Sequence, residues 1–328
     1  MEETTEPDLT LGGYIMNEWS LADINHQIAA SAESFIIDCE AGYDKMIRDV
    51  ADKICRRASD NPITLIAGPS ASGKTTTAHR IEQILDACGF ETHTLSMDNY
   101  FADGTRNINI VDQNGNPDYE SPLRLDMDLL NTQLQQLARG ERVELPRFDF
   151  TAQKQCRSGK IIQRKKGELI LMEGIHALNP DVTAGVKDCA NKIYLSVRTR
   201  ITDGTQRLHP SLIRFARRLL RDSRCRGRSP EESAKMLSSV SRGENLYIMP
   251  YKHLADFELD TFLPYELAFY RPFLMDILKP LAEAAPADSG IPLLYDFMQR
   301  LSNAEDHDWI PDISVIREFI GGSAITEE

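Results

Sequence analysis

Cysteine is sparse and scattered in this chain: Cys39, Cys55, Cys88, Cys156, Cys189 and Cys225 lie far apart, with no Cys-x-x-Cys pair among them. That spacing suggests neither a zinc site nor a disulfide framework, and it predicts reduced thiols. Long apolar runs are also missing. None approaches the length needed to cross a bilayer, and the acidic start Met-Glu-Glu-Thr-Thr-Glu-Pro lacks the apolar core of a secretory signal. The expectation is a soluble, cytoplasmic protein with no membrane partner. Positive charge is in deficit, with 37 Lys and Arg against 50 Asp and Glu and a net charge of −13. A general nucleic-acid binder needs a basic face, so no nucleic-acid partner is expected. No internal repeat or low-complexity segment breaks the pattern.

What is present is an ordinary globular composition, 41% hydrophobic and 27% charged over 328 residues, enough for one large domain or two modest ones. Residues 18–57 carry apolar positions at helical spacing, and Gly42 is expected to break them into two helices. Then come an apolar strand over Ile63 to Ala67, a small-residue loop, a helix from about Lys74 to Cys88, and a strand over Glu91 to Ser96. A helix over about 126–139 is stopped by Gly140, and the apolar runs Glu168 to Met172 and Lys192 to Val197 read as buried strands. Short apolar strands alternating with helices predict a parallel sheet covered on both faces.

The loop Gly68-Pro69-Ser70-Ala71-Ser72-Gly73-Lys74-Thr75 satisfies G-x-x-x-x-G-K-[ST] between a strand and a helix. Its glycines let the backbone approach phosphates, and the N–H groups at the helix start, including that of Thr76, point at them. Lys74 reaches the β and γ oxygens, and the Thr75 hydroxyl can bind Mg²⁺. A nucleoside triphosphate, ATP with Mg²⁺, is therefore the expected cofactor. Switches, motors and small-molecule kinases all use such a loop, so the rest of the chain must discriminate.

Asp98 follows the second strand, where a carboxylate can orient an acceptor hydroxyl and take its proton; a helix cap is the plainer alternative. Tyr100 and Phe101 either line an acceptor pocket or pack. Leu169 to Glu173 has the form of an apolar strand ending in a metal-holding carboxylate, here Glu173. His176 reads as a structural loop residue. Seven arginines, from Arg214 to Arg228, fall within fifteen residues of an otherwise acidic chain. They form either a solvated basic face or a lid closing over phosphate, and arginine throughout suits bidentate phosphate contacts.

With these motifs in order the chain resembles the uridine kinase and phosphoribulokinase group of P-loop kinases, most closely the bacterial uridine-kinase-like proteins. The motifs are the phosphate loop, Ser96 to Phe101, Asn116 to Ser121, Val143 to Phe150, Glu173 to Pro180, Arg217 to Asp222, Arg226-Gly-Arg228 and a return at Ile316 to Ser323. The resemblance implies that Asp98 is the base on a nucleoside 5′-hydroxyl, that Glu173 helps hold magnesium, and that Glu120 contacts ribose. It implies that Arg221 belongs to the lid, that Arg218, Arg226 and Arg228 lie near nucleoside and phosphate, and that Phe148 and Phe150 form the base pocket. Gln153 stands where mammalian-type uridine kinases have a pyrimidine-reading histidine, and Phe148 where they have tyrosine.

The expected fold is α/β: a P-loop NTPase with a mostly parallel sheet, helices on both faces and an Arg-rich helical lid at about 211–245. The expected organisation is a helical extension over 1–57, the kinase domain over 58–285 and a second helical extension over 286–328. The expected function is phosphorylation of a small-molecule hydroxyl, with Asp98, Lys74 and Arg221 catalytic and the 5′-OH of uridine or cytidine as acceptor. Two rivals stand beside it: a kinase for a sugar phosphate or other polyol, and a nucleotide-dependent regulatory protein without transfer. A homo-oligomer is left open.

Overall fold

The computed structural model describes residues 10–11, 14–15, 17–104, 110–225, 227–304 and 308–325. β1 (Glu18–Ser20) leads into α1 (Leu21–Arg57), whose start is capped by Ser20 Oγ accepting from the N–H groups of Ala22 and Asp23. The helix breaks at Ser31, not at Gly42 as expected. Ser31 leaves helical geometry at φ −168° and ψ 102°, and its Oγ accepts from Ser34 N–H at 3.2 Å, capping a restarted helix. Gly42 sits in open space and the helix runs through it.

β2 (Ile63–Ala67), β3 (Thr92–Ser96), β6 (Leu169–Glu173), β7 (Ala190–Ser196) and β10 (Phe257–Asp260) form one parallel sheet in the order β10-β7-β2-β6-β3. All five residues of β2 and of β6 are buried, which is why both read as mostly apolar runs, with Thr64 inside the first and Glu173 closing the second. Alternate side chains feed two cores. Ile63, Leu65, Ile170 and Met172 join the one beneath α3 (Met127–Ala138), while Ile66, Leu169 and Leu171 join the one shared by α1 and α2 (Lys74–Ala87).

Between β3 and β6 lies an antiparallel hairpin, β4 (Arg142–Asp149) and β5 (Lys154–Gln163), which the strand reading of the sequence did not contain. Its inner face is small: Val143, Leu145, Phe148 and Ile162 are buried, and β5 is otherwise mostly exposed. Val143, Leu145 and the turn-forming Asp149 were the available signal, muted by Pro146 at the bulge.

After β7 come the short β8 (Arg200–Thr202), parallel to β1, and β9 (Arg207–Leu208). Then follow α4 (Pro210–Cys225), α5 (Pro230–Lys235), α6 (Leu237–Tyr247), α7 (Glu266–Ala284) and α8 (Ile291–Arg300). Leu212, Ile213, Phe215, Ala216, Leu219 and Leu220 bury one side of α4 in the α1/α2 core, to which α7 and α8 also contribute. A last helical turn, Arg317–Ile320, packs on α4. Cys39, Cys55, Cys88, Cys156 and Cys189 are free thiols. Among the described residues no helix is long and apolar enough to cross a membrane.

Candidate active site

The parallel register brings the candidate residues to one edge. Ile66 of β2 pairs with Glu173 of β6, and Glu173 pairs with Ser96 of β3, so the phosphate loop, Glu173 and the turn carrying Asp98 leave the sheet side by side. This is the carboxyl edge, where open α/β sheets bind ligands.

The loop is bent by two residues in left-handed conformation, Ala71 (φ 58°) and Gly73 (φ 82°). Gly73 occupies the cap of α2 and makes no side-chain cap bond, so the first-turn N–H groups lack the side-chain acceptor that usually covers them. That is the geometry of an anion cradle. Ser72 is buried with its hydroxyl unpartnered. Lys74 Nζ donates to the Pro69 carbonyl at 3.3 Å. Thr77, one turn on, is held by Gly73 O and by Tyr43 of α1.

Glu173 is buried, and burial pushes its pKa up to about 7; Lys74 opposes the rise and the Asp98 charge adds to it. Asp98 is exposed at the start of the turn Met97–Tyr100, its N–H donating to Ser96 Oγ at 3.3 Å. Glu120 Oε2 is buried without a hydrogen-bond partner, and burial raises that carboxyl's pKa while Arg218 pulls it down; Glu244, Lys74 and Asp98 also act on it. Arg218 is buried in turn, its pKa lowered by burial against the pull of Glu120. Lys74, Asp98, Glu173, Glu120 and Arg218 thus form one electrostatic cluster.

Other expected residues lie elsewhere. Tyr100, a candidate for the acceptor pocket, is 1% exposed and its hydroxyl donates to Gln133 of α3 at 2.8 Å, so it packs the core. Its neighbour Phe101 does join Phe148 and Phe150, with ring centroids 5.1–6.0 Å apart. Phe148 is buried and Phe150 exposed. Gln153, at the hairpin turn with φ 52°, donates its amide to the Phe150 carbonyl at 2.7 Å. Arg228 pairs with Asp222 at 3.6 Å rather than with the loop. Arg226 lies outside the described residues. His176 lies in the loop after β6, buried against Tyr247, and burial lowers its pKa to about 4.

The arginines divide by partner. Arg217 is fully buried in an ion pair with Glu266 and Arg214 in a bidentate pair with Glu244, at 2.5 and 2.8 Å, so neither belongs to a free basic face. Arg221 alone of these reaches a hydroxyl of the phosphate loop, donating to Ser70 Oγ at 3.2 Å. The sequence reading placed α6 within the lid but named none of its residues as part of this site. Its Arg242 and Tyr247 both reach Asp118 Oδ2 at 2.8 Å, and its Gly243 lies flat against Glu120.

The family model "Phosphoribulokinase / Uridine kinase family" matches residues 63–263, the whole sheet and the elements between its strands. The chain belongs to this family. It is 36% identical over 203 residues to the uridine kinase of Lactobacillus johnsonii, covering 60% of this chain and 86% of that one. Against the uridine kinase of Staphylococcus haemolyticus it is 33% identical over 192 residues, 58% and 83% of the two chains. A solved structure from Bacillus stearothermophilus, described as a possible uridine kinase, is 18% identical with a TM-score of 0.45, covering 65% of this chain and 98% of that one. Membership in the phosphoribulokinase and uridine kinase family makes the protein a uridine-kinase-like phosphotransferase that uses a nucleotide and acts on a small molecule.

Gly243 gives a direct test of the expectation that Glu120 contacts the acceptor. A Cβ there would lie 2.3 Å from Glu120 Cβ and 2.6 Å from its Cγ, so Glu120 must move. Gly243→Ala is expected to raise the acceptor KM by about tenfold, the scale of a displacement under 1 Å at a positioning group, with nucleotide affinity unchanged. Titrating both ligands separately checks it.

Proposed function

We propose that the protein is an ATP- and Mg²⁺-dependent kinase that transfers the γ-phosphoryl group to the 5′-hydroxyl of a pyrimidine nucleoside, uridine or cytidine. The observation that carries the reading is the cluster of Lys74, Asp98, Glu173, Glu120 and Arg218 at the carboxyl edge beside an uncapped helix start. The uridine kinases among its relatives favour a nucleoside acceptor.

In this reading the N–H groups of the loop and the α2 start bind the phosphates, with Pro69 and Ser70 shaping the bend. Lys74 and Arg221 neutralise charge on the transferring group. Asp98 accepts the proton of the acceptor hydroxyl as its oxygen bonds to the γ-phosphorus, and the bond from that phosphorus to the bridging oxygen breaks to release ADP. Glu120 and Arg218 orient the sugar. Phe101, Phe148 and Phe150 stack against the base. Thr75 and Glu173 would hold Mg²⁺: both offer the hard oxygen donors it takes, and Glu173 is a buried carboxylate whose charge Lys74 only partly compensates. When bound, the ion supplies positive charge to the phosphate oxygens.

One observation favours a second acceptor class. Gln153, in the position of a base-reading histidine, spends its amide on Phe150 O, leaving a non-nucleoside polyol or sugar phosphate as the rival. A panel of nucleosides, sugar phosphates and polyols, read by ADP release and by mass of the product, tests this. Uridine or cytidine is expected to give the monophosphate with the highest kcat/KM. Turnover of sugar phosphates with none of any nucleoside would replace this reading with its rival.

A further inference from the structure

The family match ends at residue 263, yet a carboxylate from far beyond it reaches the first turn of α2, directly after the phosphate loop. The Thr76 hydroxyl donates to Glu318 Oε2 at 2.8 Å, and Arg221 Nη1 donates to Glu318 Oε1 at 3.4 Å. The same guanidinium reaches Ser70 Oγ through Nη2, so Arg221 is strung between the loop and the C-terminal turn. Its Nε is buried without a partner. One donor is therefore unspent, beside a loop built for phosphate.

The turn that carries Glu318 is fixed from several sides. Val315 and Ile316 are fully buried and Phe319 is 1% exposed. Ser314 donates to Glu40 of α1, Phe319 lies 5.3 Å beneath the Arg217 guanidinium, and Arg224 donates to the Ile320 carbonyl. Val315 packs on the phosphate loop itself, since a Cβ on Gly73 would meet its Cγ2 at 2.2 Å.

We propose that Glu318 is a positioning residue for phosphoryl transfer: it holds Arg221 at the phosphate loop through a charge-assisted bond, at the cost of repelling the nucleotide's own anionic charge. The inference rests on the kinase reading above. Arginine on a flexible stem is an effective phosphoryl clamp only when its fork is held in place, and a carboxylate is its strongest holder. A carboxylate beside a phosphate cradle also weakens ground-state binding, because like charges near a partly buried site are poorly screened. The two consequences have opposite signs, which a merely structural contact would not produce.

The test uses the full chain. Glu318→Gln keeps the shape and removes the charge. It is expected to bind a non-hydrolysable ATP analogue about three- to tenfold more tightly while kcat with the best acceptor falls about tenfold and the acceptor KM holds. In an Arg221→Gln background the same change is expected to cost no further kcat, because its effect runs through that arginine. Glu318→Asp, which keeps the charge but shortens the reach, is expected to keep the wild-type nucleotide affinity and recover little kcat. Unchanged or weaker analogue binding in Glu318→Gln overturns the proposal, as do additive kcat losses in the double variant. The binding arm needs no acceptor, so a wrong acceptor assignment shows in the panel and leaves this result standing.

Discussion

Asp98→Asn is expected to lower kcat by about 10²- to 10⁴-fold, the range for losing a positioned general base, while affinity for ATP stays within a few-fold. The two effects separate because Asp98 and the phosphate-binding backbone sit on different strands. Asp98 hangs from the end of β3, where Ser96 Oγ caps its N–H and the turn Met97–Tyr100 fixes its exit from the sheet. The nucleotide cradle belongs to β2 and α2. Asparagine keeps the shape and the Ser96 cap of its N–H and removes the carboxylate that the proposed mechanism uses as proton acceptor. It also removes a negative charge that raises the pKa of Glu173. Pre-steady-state turnover beside equilibrium ATP titration checks both halves. Ser96, not Asp98, caps the turn, so unchanged turnover would move the proton acceptor elsewhere in the cluster.

The parts of this site legible in the sequence are those whose meaning is local. A glycine-rich loop between an apolar strand and a helix, the fully buried, mostly apolar β2 and β6, and carboxylates at strand ends all depend on neighbours within a few residues. Tyr100 was ambiguous because nothing near it in the chain says whether its hydroxyl finds a buried acceptor. Gln133, 33 residues on, supplies one. Ser31 and Gly42 compete as helix breakers, and the winner was the residue whose side chain caps the restarted helix rather than the one with the lower propensity. The hairpin of β4 and β5 has too thin a buried face to show a strong alternation. Glu318 needed the whole fold, since its partners Thr76 and Arg221 come from two elements that the sheet brings together.

The arginine cluster is where local pattern misleads most, and the second large effect follows from it. Replacing either Arg217 or Glu266 alone, as Arg217→Met or Glu266→Gln, is expected to destabilise the fold by about 3–5 kcal/mol, because each leaves an uncompensated buried charge or its stripped partners. Both side chains are fully buried, joined at 2.7 and 2.9 Å, and Arg217 Nη2 also donates to Thr261 O at 2.7 Å. Burial alone would lower the guanidinium's pKa, but Glu266, with Tyr270 and Glu318, more than offsets it and the pKa is raised. Arg217 therefore stays charged at any pH where the protein folds, and the pair must be kept or removed together. The double replacement Arg217→Met with Glu266→Leu is expected to regain most of the loss, since apolar groups of similar volume satisfy the site without desolvating charge. Urea unfolding of the three variants measures this. A phosphate-binding lid arginine would give the reverse pattern, with kcat lost, stability kept and no rescue by the second change. Because Arg217 Nη1 also reaches Ala71 O in the phosphate loop, some loss of nucleotide affinity is expected in the single variants, and it should persist in the stable double one.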